Sequence, residues 1–182
     1  MSIPGLTIIG ERINPGFKSS LALFENEDIA GIQELAVEQV GKGARYLNLN
    51  AGERAMRDPG FLAHIIRSVQ DVVDVPLSFD FPNRSVQEVC LKTYDPSKSK
   101  GEKPIINSIS ELRLDMLQLF SICPAKAILM VSEREENGLR IANKTADQAY
   151  QTTRRLVERI FDQAPDLTLD DLFVDVSVGP VG

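Results

Sequence analysis

Acidic and amide side chains stand where several short apolar runs of this sequence end. The clearest case is residues 75–79, a run of buried-strand type that leads directly into Asp80. A carboxylate there is costly unless something uses it, and in parallel α/β sheets such strand ends point into the ligand crevice. The competing interpretation is that Asp80 caps the following helix or a turn. The same arrangement recurs along the chain, which favours ligand binding.

The other predicted strand ends carry side chains of the same chemical kind. In chain order the polar residues there are Glu11, Asn14, Asn48, Asn50, Asp80, Asn83, Asn107, Ser108, Ser132, Glu133 and Asp175. A carboxylate accepts two parallel N–H groups and an amide both donates and accepts, so together they suit a heterocycle such as a pterin. For Asn83 and Ser132 we favour helix capping or turn formation. For Asp80, Asn107 and Asp175 we favour ligand binding, because three polar residues end three apolar strands.

Nucleophiles and metal ligands are scarce at these positions. The strand ends have no Cys, no His and no Gly-rich phosphate loop. The single histidine, His64, falls within a predicted helix and excludes a multi-histidine metal site, so we predict no metal centre. Cys90 and Cys123 are far apart in apolar surroundings, which predicts reduced core thiols in a cytoplasmic protein.

The bulk composition narrows the class of protein. A chain of 182 residues with 43% hydrophobic and 25% charged residues suits one globular domain over residues 1–182. The net charge of -6 argues against nucleic-acid binding and against binding to acidic membranes. No apolar run is long enough to cross a bilayer, and the N-terminus lacks a signal-peptide pattern. We therefore expect a cytoplasmic protein.

Strand and helix patterns alternate six times along the chain. Strands are expected at 6–10, 45–50, 75–80, 104–106, 127–131 and 172–176, and helices at 28–40, 58–73, 85–91, 111–120 and 145–161. Capping boxes at Ser85/Glu88 and Thr145/Gln148 open two of the helices. Segments 11–16, 95–103 and 132–144 are expected to be loops. The alternation predicts an α/β fold with a parallel sheet, either an open doubly wound sheet or a (β/α)8 barrel that lacks its last quarter.

Five segments resemble the pterin-binding family of TIM barrels. They are residues 8–14 (IIGERIN), 47–52 (LNLNAG), 78–83 (SFDFPN), 106–108 (INS) and 173–175 (FVD). The match is to the methyltetrahydrofolate:corrinoid methyltransferase branch, which is related to the pterin domain of cobalamin-dependent methionine synthase and to dihydropteroate synthase. Asn48 stands where the branch usually has an Asp. The resemblance implies a (β/α)8 TIM-barrel domain, truncated after the sixth βα unit.

The resemblance also implies which residues bind the ligand. Asp80, Asn107 and Asp175 would hold the pterin ring, and Asn50 would line the same floor. Further face residues would be Glu11, Asn14, Asn48, Asn83 and Ser108. The branch has an Asn after its seventh strand that helps bind the pterin near N5. This chain has no counterpart, so no catalytic residue is assigned.

The activity implied by the resemblance is methyl transfer between N5 of tetrahydrofolate and the cobalt of a corrinoid. The substrate would be tetrahydrofolate or methyltetrahydrofolate, and the corrinoid (cobalamin) would be carried by a partner protein. The barrel would orient the pterin and assist proton transfer at N5, while cobalt supplies the nucleophile.

Two alternatives remain open at this point. One is a non-catalytic or truncated pterin-binding or assembly subunit, which the missing last quarter favours. The other is dihydropteroate synthase, against which the missing phosphate loop counts. An incomplete barrel would leave two strand edges unpaired, so we also expect a homodimer.

Overall fold

The computed structural model describes residues 5–177. The chain divides into two units, residues 1–105 and residues 106–182, and the boundary falls at the first residue of the fourth strand. Within residues 5–177, none of the helices is both long and apolar enough to cross a membrane.

The first unit is built from three parallel strands and the helices between them. Its strands are β1 (Ile9–Ile13), β2 (Tyr46–Leu49) and β3 (Leu77–Asp80), in that spatial order. Its helices are α1 (Lys18–Glu25), α2 (Ile29–Gly41), α3 (Arg54–Arg57), α4 (Pro59–Gln70) and α5 (Arg84–Thr93), followed by a 3₁₀ turn at Pro96–Ser99. Helices follow each strand, as parallel pairing requires.

The pairing of β2 with β3 separates an apolar face from a polar one. Leu47 pairs with Leu77, and Leu49 with Phe79, and all four side chains are fully buried. Successive side chains of a strand point to opposite faces, so Asn48 and its partner Ser78 lie on the other face. The strand ends therefore present polar groups on the side opposite the apolar core.

Helix starts in this unit follow local capping chemistry. The Asp28 side chain accepts a hydrogen bond from Gly31 N at 2.9 Å and begins α2. Asp58 accepts from Phe61 N at 2.9 Å and begins α4, with Pro59 in the first turn. The buried face of α4 is apolar, as its spacing predicts; it includes Phe61, Leu62, Ile65, Ile66 and Val69.

The second unit has three strands of the same kind and an added hairpin. Its elements are β4 (Ile105–Ile109), β5 (Lys126–Met130), β6 (Glu133–Glu136), β7 (Leu139–Ala142), α6 (Ala146–Gln163) and β8 (Leu172–Asp175), with 3₁₀ segments at Glu111–Ser121 and Leu169–Asp171. The order of the three main strands is β4, β5, β8, and β5 pairs with β8 in parallel. β6 and β7 form an antiparallel pair. The predicted capping box of Thr145 and Gln148 opens α6 and is confirmed.

The α/β class with parallel strands is thus confirmed in both units. Neither set of three strands closes on itself into a barrel. The complete eight-stranded architecture, its truncation, the single-domain organisation and the homodimer stay predictions.

Two predicted loops are wrong. Residues 11–13 continue β1, where a register shift between Gly10 and Ile13 accompanies a hydrogen bond from Arg12 N to Gln39 Oε1 of α2 at 2.8 Å. Segment 132–144 contains the β6–β7 hairpin. Helix α1 was not predicted, because its eight residues carry no side-chain cap at Phe17.

Two helix predictions also need correction. The Ser85/Glu88 capping box does not form, because α5 begins one residue earlier, after Asn83, and Glu88 instead pairs with Lys92 at 2.6 Å. The segment expected to be an α-helix at 111–120 consists of 3₁₀ turns interrupted at Arg113, which has φ -140° and ψ 51°.

Candidate functional site

The best-defined polar cluster of the first unit surrounds Asp80 at the end of β3. Asn48 Nδ2 donates to Asp80 Oδ2 at 3.3 Å, and Asn50 Nδ2 donates to the same oxygen at 3.4 Å. Asn50 Nδ2 also donates to the backbone oxygen of Asp80 at 2.9 Å. No residue within 5–177 donates to the other carboxylate oxygen, Oδ1. One oxygen of Asp80 is therefore held by two amides, and the other has no hydrogen-bond donor among the described residues.

Local structure at the end of β2 places the two asparagines. Asn48 is the register partner of Ser78 on the polar face and is only 3% exposed. Asn50 Oδ1 accepts from Gly52 N at 2.7 Å, so its amide oxygen closes the turn after the strand. Gly52 has φ +60°, and a Cβ there would lie 3.2 Å from Pro15 Cγ in the loop after β1. Glycine thus satisfies both the backbone conformation and the close approach.

The backbone on both sides of Asp80 is held from α5. Gln87 is fully buried, and its Nε2 donates to Phe79 O at 2.7 Å and to Phe81 O at 3.1 Å. The Phe79 ring also meets the Tyr94 ring edge to face, with centroids 6.1 Å apart. Asp80 is therefore fixed through its main chain as well as its side chain. Sequence reasoning missed Gln87, although a polar residue on the otherwise apolar face of a helix was the available signal.

Ser78 lies two residues before Asp80, on the same face of β3. Its side chain is fully buried, and its Oγ has no hydrogen-bond partner among the residues that the structure describes. Buried hydroxyls without a hydrogen-bond partner are uncommon in folded proteins. It extends the polar layer of Asn48 and Asp80 into the interior of the unit.

The other three predicted face residues of the first unit make only local contacts or lie exposed at the surface. Asn14 Oδ1 accepts from Gly16 N at 2.8 Å, which makes Asn14 a turn former. Asn83 occupies the N-cap position of α5 without a side-chain cap and contacts the Met56 sulfur instead, so the helix-capping prediction for it is wrong. Glu11 is exposed on β1.

The second unit contains the remaining predicted site residues. Asn107 and Ser108 were expected to follow the fourth strand, but both lie inside β4, which continues to Ile109. Asn107 is half-buried, and Ser108 is buried and accepts from Arg113 Nη2 at 2.8 Å. Asp175 ends β8, is exposed, and its Oδ1 accepts from Ser177 N at 2.7 Å. The meeting of these side chains with Asp80 around one ligand stays a prediction.

An ion pair in the second unit between a buried glutamate and a partly exposed arginine was missed by sequence reasoning. Arg155 Nε donates to Glu111 Oε1 at 2.6 Å, and Arg155 Nη2 donates to Glu111 Oε2 at 3.1 Å. Glu135 N of β6 also donates to Glu111 Oε2, at 3.2 Å. The hydrogen bond with Glu111 raises the pKa of Arg155. One carboxylate thus joins the segment after β4, the hairpin and α6.

Other features of the described residues lie apart from the strand ends. An open cleft of about 580 Å³ in the first unit lies between the end of α2 and residues 70–74, and none of the predicted site residues lines it. The structure shows, within residues 5–177, no group of three or more His, Cys, Asp and Glu side chains that could hold a metal ion. His64 is exposed on α4. Cys90 and Cys123 are both free thiols.

The arrangement around Asp80 suits recognition of a neutral N–H donor. A carboxylate oxygen accepting from an N–H group makes a charge-assisted hydrogen bond, roughly twice as strong as a neutral one. Because two amides orient the carboxylate beforehand, a ligand does not have to order it.

Comparison with known proteins shows a similarity that covers only part of the chain. No protein-family model matches the chain. A stretch of 105 residues is 29% identical to a methylcorrinoid:tetrahydrofolate methyltransferase of Eubacterium limosum. It covers 58% of this chain and only 36% of that protein. The chain is therefore distantly similar, over part of its length, to a methylcorrinoid:tetrahydrofolate methyltransferase, and it has a parallel-stranded α/β fold.

Proposed function

We propose that this chain binds a folate and takes part in methyl transfer between N5 of a tetrahydrofolate and the cobalt of a corrinoid protein. The observation that carries the proposal is the Asp80 carboxylate, whose Oδ2 is held by Asn48 and Asn50 and whose Oδ1 has no donor among the described residues. The partial similarity to a methyltransferase of that name supports the same chemistry.

Pterin recognition in this proposal begins at Asp80. A pterin ring presents N–H groups along one edge, and one of them would donate to Oδ1. Asn107 and Asp175 are proposed as further contacts, because Asn107 is a half-buried polar residue within β4 and Asp175 is a polar residue that ends β8. Asn50 would act indirectly, because its amide already bonds to Asp80 and Gly52.

In this proposal no side chain of the chain would form a covalent bond with the methyl group. The methyl group moves between a nitrogen and a cobalt, so no side-chain nucleophile is needed. A corrinoid, carried by a partner protein, would supply the cobalt. The chain would orient the pterin and hold it apart from water, which lowers the entropic part of the barrier.

The alternative that we retain is a pterin-binding subunit without catalysis of its own. The chain matches only 36% of the methyltransferase, and no side chain of the described residues is assigned to proton transfer at N5. Binding without turnover would favour this alternative, and turnover would exclude it.

Calorimetric titration with methyltetrahydrofolate tests the proposal. We expect Asp80→Ala to weaken binding by about 1.5–3 kcal/mol, the contribution of a hydrogen bond to a charged group. Asp71→Ala is the matched control, because Asp71 is an exposed acid at the end of α4, and its affinity should equal that of the wild type. Circular dichroism must show that both variants are folded.

Equal affinities for Asp80→Ala and the wild type, with the fold intact, would refute the assignment of Asp80. If binding is confirmed, the second step is turnover with a reduced or methylated corrinoid protein. Methyl transfer above the rate without the chain identifies an enzyme, and binding alone identifies the non-catalytic alternative.

A further inference from the structure

We propose that Gln87 is a positioning residue: from α5 it fixes the main chain on both sides of Asp80, and the affinity for the folate depends on it although it is buried away from the ligand. The inference rests on the proposed function for the identity of the ligand. Its claim about the strand end concerns the protein alone.

Three successive backbone carbonyls at the end of β3 are bound by side-chain amides. Gln87 Nε2 donates to Phe79 O at 2.7 Å and to Phe81 O at 3.1 Å. Asn50 Nδ2 donates to the carbonyl between them, that of Asp80, at 2.9 Å. The register of β2 against β3 ends at Phe79, so the two later carbonyls lie beyond the paired residues. Buried backbone carbonyls need a donor, and here two amides supply it.

The position of Gln87 in α5 explains how its side chain reaches the strand. The helix begins at Arg84, and Gln87 N donates to Asn83 O at 3.1 Å, so Gln87 lies in the first turn. Side chains of a helix lean towards its N-terminus, which here follows directly on the end of β3. Gln87 is fully buried on the otherwise apolar face of α5. A buried amide is costly unless it is hydrogen-bonded, and its donor group is used on the chain around Asp80.

The hold on the main chain fixes the direction in which the Asp80 carboxylate leaves the strand. Asn48 and Asn50 restrict rotation of that carboxylate through Oδ2. Their contacts orient it only if the backbone that carries it stays in place. Gln87 therefore fixes the backbone, the two asparagines fix the side chain, and a ligand meets a carboxylate that is already ordered.

Gln70 provides a matched control within the same unit. It is 4% exposed, and its Nε2 donates to Asp95 O at 2.9 Å and to Ser99 Oγ at 3.4 Å. Ser99 Oγ in turn donates to Val75 O, just before β3 begins. Gln70→Met and Gln87→Met thus remove the same kind of buried amide, the first near the start of β3 and the second at the end where the site lies.

The first measurement is amide hydrogen exchange of the full chain without ligand, followed by mass spectrometry. In Gln87→Met we expect peptides that contain residues 79–83 to exchange roughly tenfold faster than in the wild type, since two neutral hydrogen bonds are lost there. Gln70→Met should change peptides that contain residues 95–99 instead. If Gln87→Met fails to fold, Gln87→Asn takes its place, because it keeps a donor but is one carbon shorter, and the same exchange pattern is expected.

The second measurement is the affinity for methyltetrahydrofolate by calorimetric titration. We expect Gln87→Met to bind about three- to tenfold more weakly than the wild type, because the carboxylate remains but the ligand must now order it. Gln70→Met should bind as the wild type does. In the Asp80→Ala background, Gln87→Met should weaken binding by less than about twofold further, since a residue that acts through Asp80 then has nothing to position.

The two measurements separate this inference from the proposed function. Equal exchange at residues 79–83 in Gln87→Met and Gln70→Met overturns the role of Gln87 at the strand end. Unchanged folate affinity in Gln87→Met, or the same loss of affinity with and without Asp80, overturns its role in positioning the carboxylate. If the wild type does not bind the folate, the proposed function fails, and the exchange rates alone decide whether Gln87 holds the strand end.

Discussion

The ion pair of Glu111 and Arg155 allows a sharp prediction about the stability of the second unit. Arg155→Met keeps most of the aliphatic length of the side chain and removes the guanidinium group. Glu111 is then left without its arginine partner at a position where its side chain is only 6% exposed. Its remaining hydrogen bond comes from Glu135 N at 3.2 Å.

The expected loss of stability depends on the ion pair that is removed and on the buried Glu111 side chain that remains. Removing one partner of a buried ion pair typically costs about 3–5 kcal/mol, because the other charge is left buried. The Arg155 side chain is 42% exposed, so solvent screens part of the interaction. We therefore expect a loss of about 2–3 kcal/mol in the free energy of unfolding.

The assay is equilibrium unfolding in urea at neutral pH, with the slope checked for two-state behaviour. Arg154→Met is the matched control, because Arg154 is the adjacent arginine of α6 and makes an exposed pair with Glu158 at 3.4 Å. Arg154→Met should lower the free energy of unfolding by no more than about 1 kcal/mol. The double variant Arg155→Met, Glu111→Leu should recover part of the loss, since it removes the stranded charge. Equal losses for Arg155→Met and Arg154→Met would refute the reasoning.

Two further predictions follow from the ionisable groups of the first and second units. The hydrogen bond from Phe61 N, followed by that from Arg54, lowers the pKa of Asp58. The ionised Asp58 carboxylate stabilises the folded chain above its unfolded-state pKa, and this stabilisation is lost as the pH falls through its lower folded-state pKa. The difference in thermal midpoint between Asp58→Ala and the wild type should therefore narrow below about pH 4. Burial raises the pKa of Cys90 and that of Cys123, and Cys90 is the more deeply buried. Mass spectrometry after timed alkylation should show Cys123 modified first and Cys90 only on unfolding; the reverse order would contradict the burial of Cys90.

The regular elements were predictable from sequence because their signals are local. The apolar face of α4 repeats with helical spacing, and the Thr145/Gln148 capping box lies entirely within one turn. Ser85 and Glu88 have the same spacing but no capping geometry, because the helix begins at Arg84. The capping motif alone therefore does not determine at which residue the helix begins, because that also depends on contacts with the rest of the chain.

The candidate site was only partly accessible to sequence reasoning. The positions of Asp80, Asn48 and Asn50 at strand ends follow from the apolar runs before them. The sharing of one Asp80 oxygen by two amides does not, because it depends on the register of β2 against β3. The bond between Glu111 and Arg155 joins residues 44 positions apart and has no sequence signature. The hairpin did have one, since Asn137-Gly138 is a strong turn signal.

The same hairpin has a consequence for the order in which the second unit acquires structure. Asn137 and Gly138 both have positive φ, 54° and 79°, as a tight turn between antiparallel strands requires. Contacts across such a turn form within about 1–10 μs, whereas the parallel pairing of β5 with β8 must wait for residues 131–171 to cross over. An isolated two-stranded hairpin is only marginally stable, so it opens and closes repeatedly until other elements pack on it. The carboxylate of Glu111 and the arrival of α6 would then convert a transient local turn into a permanent part of the unit.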